Sequence, residues 1–461
     1  MMNAHGTDRP GQLQRRLGLA SAISITVGAV IGSGIFMKPL SVAQSLPNEG
    51  WIYALWIGLG VVCLFGAFAY AELGAMFPQA GGQYVFLREA FGPGIGFLYG
   101  WVFFWAINAG TMAALATAFA EYSLPWLAPS ALDQRQDPSG HVVVIASGMI
   151  LGLAVINHFS VAFGAGLQNL STLAKVGALG LIVAGGVYYL GGDPIVHATA
   201  PMAPRAVVDL RVSGLVTAFI GIFWAYEGWY QLPFNAAELT RPDRQLPRGL
   251  IGGLLVLIVL YAAVNAIYLQ TVPLAEMRGL RMERQVPYLA ISRIFSPGLA
   301  DYLNLLVAIS VLGAANPNLM SSTRAFYAMA RDGVLPKMLT RVHPRHGTPT
   351  VAIWVQAIWS VLLVLYLRHF HDITAFVVFA AFLFYALTVA AVYRLRRIRP
   401  DHPRPYRCTG YPLTPALFIV VAIAFVLALL SDPDERENAL IGLFILFAGL
   451  PYYFWRRRSV S

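Results

Sequence analysis

The residues of this chain best suited to chemistry lie inside long apolar runs. Lys175 stands in LQNLSTLAKVGAL and is one of three lysines; Glu227 stands in FIGIFWAYEGWYQLPF with Trp224 and Ala225; Asn316 and Asn318 stand in GAANPNLM. A charge at such depth is unfavourable unless it is paired, neutralised or solvated, which makes Lys175 and Glu227 functional candidates by default. Each position also has a plainer reading. Lys175 could snorkel from the edge of a span, Glu227 could carry a proton or partner a buried polar group, and Trp224 could simply pack. The flat face of Trp224 also suits stacking on a guanidinium or ammonium group.

The backbone offers a second chemistry. GAVIGSGIF, residues 28–36, places three glycines within an uncharged run from 17 to 37, although a glycine inside a helix is unfavourable by about 1 kcal/mol relative to alanine. An interrupted helix exposes free amides on one half and free carbonyls on the other, a geometry that suits a zwitterion. A carboxylate is expected on the amides of Ser33, Gly34 and Ile35. An ammonium is expected on carbonyls at Val30 or Ile31 and, on a later span, near Trp224, Ala225 and Glu227. Close packing of helices is the competing explanation for the glycines.

Other chemistries find little support. The nine histidines lie mostly in loops, and His158 beside Asn157 reads as a helix-end residue rather than a ligand. There is no HExxH, no cysteine pair at metal spacing and no glycine-rich phosphate loop, so neither a metal nor a cofactor is expected. Cys63 falls in a span and Cys408 in a loop, which leaves no plausible disulfide. An integral-membrane enzyme is therefore the weaker alternative, and a passive channel lacks a filter-like loop or a ring of repeated charges.

The elements that must position these residues follow from composition. With 57% hydrophobic and 12% charged residues over 461 positions, the chain reads as a polytopic all-α membrane protein. About twelve stretches are long enough to span, near 17–38, 51–76, 94–122, 142–157, 165–190, 213–236, 249–270, 300–328, 349–367, 373–393, 413–430 and 438–455. Residues 1–16 read as a polar tail rather than a cleaved signal. Of the 32 Lys plus Arg, roughly 20 fall in the tails and even-numbered loops and about 10 in the odd-numbered ones, which predicts cytoplasmic termini in a cell (inner or plasma) membrane. The formal charge of +10 reflects this asymmetry and argues for no nucleic acid; arginines at 394–399 are expected among anionic lipid headgroups.

The two glycine-interrupted spans are the first and the sixth by this count. Five spans apart, they run in opposite senses, the signature of an inverted repeat whose broken helices meet near the bilayer midplane. The predicted organisation is a tail over 1–16, one repeat over 17–190, a second over 213–393, and two further helices with the C-terminus over 394–461.

Four stretches then carry a family resemblance over nearly the whole chain: GAVIGSGIF, YAELGAMFPQAGGQY (70–84), FWAYEGWYQLPFNAAELTRPDRQLPRG (223–249) and SSTRAFYAMARDGVLPKML (321–339). Together they resemble the amino acid, polyamine and organocation transporters, especially their L-type amino acid transporter branch. The resemblance implies a LeuT-like fold of twelve transmembrane helices in a 5+5 inverted repeat, with helices 1 and 6 broken. It implies sodium-independent transport of neutral or cationic L-amino acids, by exchange, with proton coupling as the alternative. By the same resemblance Lys175 takes the place of an ion, linking helices 1 and 8 with Asn316 or Asn318 nearby, although Pro317 departs from the small residues usual there. Trp224 corresponds to an aromatic that covers the substrate and gates the outer side, and Glu227 to a position that can meet a cationic side chain. Glu72, Glu238, Arg324 and Arg331 could fasten an inner gate, though snorkelling or capping is the more usual role of such residues. Branch members in animals bind a heavy subunit through a cysteine between the third and fourth spans; residues 124–141 contain none, so no disulfide-linked partner is expected.

Overall fold

A backbone crossing lipid must satisfy its amides and carbonyls internally, and these apolar runs do so as helices. The computed structural model describes residues 17–78, 81–128, 139–159, 161–191, 209–281, 285–331, 333, 335–341, 343 and 348–458, with backbone alone at 161–174, 237, 303, 317, 320–325, 327–328, 331 and 456–458. The expected tail over 1–16 and the loop residues 129–138 lie outside the described residues, as do the side chains of Pro317, Arg324 and Arg331.

The first passage is three helices: α1 (Leu19–Val30), α2 (Gly34–Met37) and α3 (Pro39–Ser45). The chain returns in α4 (Glu49–Met76), whose N-cap Asn48 accepts from the Trp51 amide at 3.1 Å. A short helix, α5 (Gln83–Phe91), precedes one continuous passage made of α6 (Pro93–Val102), a π-helical stretch (Phe103–Asn108) and α7 (Ala109–Leu127). Then follow α8 (Ser139–Phe159), α9 (Val161–Leu190), and a second interrupted passage, α10 (Val212–Tyr226) with a 3-10 segment (Trp229–Glu238). After α11 (Pro242–Thr271) come the short helices α12 (Leu274–Arg278) and α13 (Gln285–Ile294), then α14 (Pro297–Arg331), α15 (Thr350–Leu367), α16 (Phe370–Ile398), α17 (Leu413–Ser431) and α18 (Arg436–Arg458).

Ten helices among the described residues are long and apolar enough to cross a membrane, which makes this a multi-pass membrane protein. The two further spans expected from sequence fall on α9 and α10. In α9 the side chains are described only from Lys175 onward, and Lys175–Leu190 alone is short. In α10 the helix stops at Tyr226, because Gly228 turns the chain left-handed at φ 102°. Hydropathy also misses polar helical ends: α11 begins at Pro242 rather than 249, and α16 runs to Ile398 rather than 393.

The two interrupted passages are joined at one end of the bundle, here the near end. Leu17 donates its amide to the Glu238 carbonyl and accepts from the Thr240 amide, both at 3.0 Å. Around them α1 packs on α11, α11 on α4, α10 on α3, and α14 on α7 and α9.

The arginines expected among lipid headgroups are instead largely held by protein. Arg394 donates to the Ala90 carbonyl at 3.0 Å, Arg399 to Glu89 at 2.6 Å, and Arg396 to both oxygens of Glu72 at 3.0 and 2.6 Å. Glu72 is fully buried, and it also accepts from the Cys408 amide at 2.6 Å and lies 3.5 Å from Arg404. A carboxylate deep in the bundle needs these cations more than lipid phosphates do, so the run folds back onto α4 and α5.

Candidate functional site

The first break forms where α1 runs out of acceptors. The Ile31 amide closes the helix on the Val27 carbonyl at 2.9 Å, and the carbonyls of Gly28, Ala29 and Val30 are then left without partners inside α1. Each meets something else. Lys175 Nζ donates to Gly28 O at 3.4 Å, Tyr261 Oη donates to Val30 O at 3.3 Å, and Ala29 O faces Gly228. Beyond the break the amides of Phe36 and Met37 return to Ser33 O at 3.1 and 2.8 Å. The amides of Ser33, Gly34 and Ile35 are thus helix-start donors with no acceptor in their own helix.

The second break lies against the first. The Glu227 amide bonds the Trp224 carbonyl at 3.1 Å, Gly228 turns left-handed, and the 3-10 segment restarts with Gln231 N on Gly228 O at 3.0 Å. A Cβ added at Gly228 would come within 2.6 Å of Ala29 O, and one added at Gly34 within 2.3 Å of Ala225 Cα. Only glycines allow this approach of backbone to backbone. Gly32 is different: an added Cβ would meet its nearest atom, Leu115 Cδ2, at 3.8 Å. Close packing and exposed backbone, posed as rival explanations of the glycines, therefore apply to different residues. Tyr261 on α11 fastens the pair, because its hydroxyl reaches Ala225 O at 3.0 Å as well as Val30 O.

The candidate side chains distribute around this junction. Trp224 is buried, donates its indole N–H to Ser33 Oγ at 3.2 Å, and meets Phe370 edge on, with ring centroids 5.9 Å apart. Glu227 is buried and points to α16, where Tyr385 Oη donates to its Oε1 at 2.7 Å; Tyr230 reaches the same carboxyl, its ring 4.9 Å from that of Tyr385. Among the described residues no cation is paired with Glu227. Val30, Ile31, Ser33, Gly34, Ile35, Trp224 and Ala225 are all buried at the facing breaks.

Lys175 reaches α1 from behind, through Gly28 O alone among the described residues. The neighbouring asparagines have other partners. Asn318 Nδ2 donates to Asn108 O at 3.3 Å, and Asn157 Nδ2 donates to Asn316 Oδ1 at 2.7 Å. The side chains of α14 at 320–325 lie outside the described residues.

Three participants escaped the sequence reading. Tyr261 and Tyr385 each share a membrane helix with a second tyrosine, Tyr268 and Tyr393, and tyrosine is common enough in membrane helices to carry no signal. Lys38 was discoverable, since it lies just past the glycine-rich GAVIGSGIF stretch and is one of three lysines; the structure buries it fully. No group of three His, Cys, Asp or Glu able to hold a metal occurs among the described residues.

Two interrupted helices facing each other around buried polar groups are the arrangement of a solute carrier. Comparison with known proteins gives the family: amino acid permease matches residues 17–450, and the chain belongs to it. It is 31% identical over 442 residues to b(0,+)-type amino acid transporter 1 of Homo sapiens, covering 96% of this chain and 88% of that one. It is 31% identical to Large neutral amino acids transporter small subunit 2 of Rattus norvegicus, covering 96% and 80%, and 30% identical to the human Cystine/glutamate transporter, covering 96% and 85%. Membership makes amino acid transport across a membrane the class of activity.

Proposed function

We propose that this protein is a sodium-independent exchanger of L-amino acids that works by alternating access between two inverted repeats of five spans, followed by two further helices. The observation that carries the reading is the facing pair of breaks, with Gly34 on Ala225 and Gly228 on Ala29. Its support extends to the connections. α5 lies between the second and third passages at one end, and α12 and α13 lie between the seventh and eighth at the other, the arrangement an inverted repeat generates. In this reading both termini are cytoplasmic, the substrate carboxylate takes the amides at Ser33–Ile35, and Trp224 covers it.

Lys175 takes the place of a coupling cation by holding Gly28 O. Uptake of labelled amino acids into loaded proteoliposomes, with sodium replaced by choline, tests this: wild type keeps its rate and Lys175→Ala loses most of it. Loss of wild-type uptake on removing sodium overturns sodium independence. Backbone recognition has its own test in Gly32→Ala. A methyl fits there sterically, so a folded variant with at least about tenfold weaker uptake supports recognition by the loop itself, while unchanged uptake removes it.

Glu227 is the selectivity position in this reading, its carboxylate meeting the cationic side chain of a substrate. Names of two relatives speak of b(0,+)-type and large neutral substrates, and this site has the polar group for the cationic class and the aromatic cover for both. A proton-carrying Glu227 is the second reading, favoured by its tyrosine-only partnership. Stimulation of uptake by an inward proton gradient that disappears in Glu227→Gln distinguishes it. No disulfide-linked heavy subunit is proposed: Cys63 and Cys408 are both buried, and burial pushes the Cys408 thiol up to about 11, well away from reactivity.

A further inference from the structure

A buried lysine that the proposed function does not use stands over the far side of the site. Lys38 lies at the bend between α2 and α3 with 0% of its surface exposed. Its Nζ donates to Thr374 Oγ1 on α16 at 3.0 Å and lies 4.6 Å from the centroid of the Phe370 ring. Thr374 spends its own proton on His371 O at 2.8 Å, which leaves the hydroxyl oxygen to accept from the ammonium. The lysine stem runs along α10, where a Cβ added at Gly221 would meet Lys38 Cβ and Cδ at 3.4 Å. Phe370 passes the contact to Trp224, and Trp224 to Ser33. One side chain thus touches the far halves of both interrupted passages and α16, directly above the facing breaks.

The geometry points to Lys38 as the positioning residue of the far-end closure, which holds α16 shut over Trp224 and sets how often the site opens to that side. The inference rests on the transport reading above. What the ammonium adds is reversibility. In the closed form the ammonium donates to a hydroxyl and lies against a ring face, and in the opened form water can replace these contacts, so they favour closure by a margin small enough for the site to reopen. Its charge is also felt beyond the seam, since Lys38 is among the groups acting on Glu435 in the connection before α18.

The test uses the full chain in proteoliposomes of known orientation, with labelled L-leucine and L-arginine as probes and half-saturation measured separately on each face. Lys38→Met keeps the stem and removes the ammonium. With the closure weakened, half-saturation at the far face should fall about three- to tenfold and that at the near face should rise correspondingly. Thr374→Val should move both in the same directions by less, and the double variant should go no further than Lys38→Met, since each removes the same contact. A structural defect alone would lower maximal rate or shift both faces together. If Lys38→Met does not give monodisperse protein, Thr374→Val carries the test. Half-saturations that stay unchanged, move together or move in the reverse sense overturn the inference while wild-type transport stands; a wild type that moves neither probe overturns the transport reading as well.

Discussion

Glu72 and Glu227 are both buried acids in the same bundle, 0% and 8% exposed, and their surroundings are opposite. Glu72 has two guanidinium groups and a backbone amide around it, so both its oxygens are engaged by charge and hydrogen bond. Glu227 has tyrosine hydroxyls and no cation among the described residues. A carboxyl whose charge is already balanced is finished as a structural piece; one balanced only by neutral donors can still take up a proton or a cationic guest. The same distinction separates Gly34, whose space is filled by Ala225, from Gly32, beside which there is room.

The largest effect should come from breaking the balanced acid. Glu72→Ala leaves Arg396 and Arg404 facing a buried hole and the Cys408 amide without its acceptor. Because Arg396 keeps about a quarter of its side chain exposed, the loss is discounted to about 3 kcal/mol. It should appear as a lower thermal midpoint in detergent and as new tryptic cleavage at 394–407, while correctly folded protein still transports. Glu72→Ala protein as stable as wild type would mean that the near-end cluster is ornamental and the contrast with Glu227 false.

The next effect concerns function instead of stability. Glu227→Gln keeps an acceptor for Tyr385, so stability should stay within about 1 kcal/mol of wild type. Selectivity should change: a desolvated contact between a cationic side chain and the acid with the Trp224 face is worth about 2 kcal/mol or more. Competition by unlabelled arginine against labelled leucine should therefore weaken more than tenfold in Glu227→Gln, with leucine uptake itself spared. If arginine never competes in wild type, the side chain is not what Glu227 reads.

How far the sequence foretold this contrast depends on the kind of signal each residue sends. The breaks were legible because glycines in an uncharged run conflict with helix propensity, and the conflict marks both positions at which the structure interrupts a helix. Lys175 and Glu227 were legible because charge conflicts with hydropathy. Glu72 was visible but ambiguous, since a charge near a span edge has several cheap outcomes, and its partners, Arg396 at the end of α16 and Arg404 in the connection after it, lie more than 300 residues away. The arginine run was misassigned to lipid for the same reason: composition gives its charge but not the buried acid that claims it. Tyr261, which ties both breaks through a single hydroxyl, conflicts with nothing in the sequence and only three dimensions reveal it.

The smallest prediction lies between the two cases. Glu435 is 4% exposed and bonds His371 Nε2 through Oε1 at 2.6 Å and Asn438 Nδ2 through Oε2 at 3.3 Å, but His371 itself is about one-third exposed. Burial raises the Glu435 carboxyl, yet the hydrogen bond and charge of His371, with Asn438 and the charge of Lys38, outweigh it and hold the group below its usual range. A carboxyl depressed in the folded state stabilises the protein above its unfolded value, about 4.3, and loses that contribution as pH falls through the folded value. Glu435→Gln should therefore lower stability by about 1 kcal/mol at pH 7.5. The difference between wild type and variant should narrow as pH falls below about 4. Paired thermal unfolding at the two pH values measures it; carboxyls remote from Glu435 titrate alike in both proteins and cancel in the difference, whereas Asp372, which feels the Glu435 charge, adds a smaller contribution. A gap that is constant with pH would mean that Glu435 acts by shape alone, and that charge balance is not what sorts the buried acids of this protein.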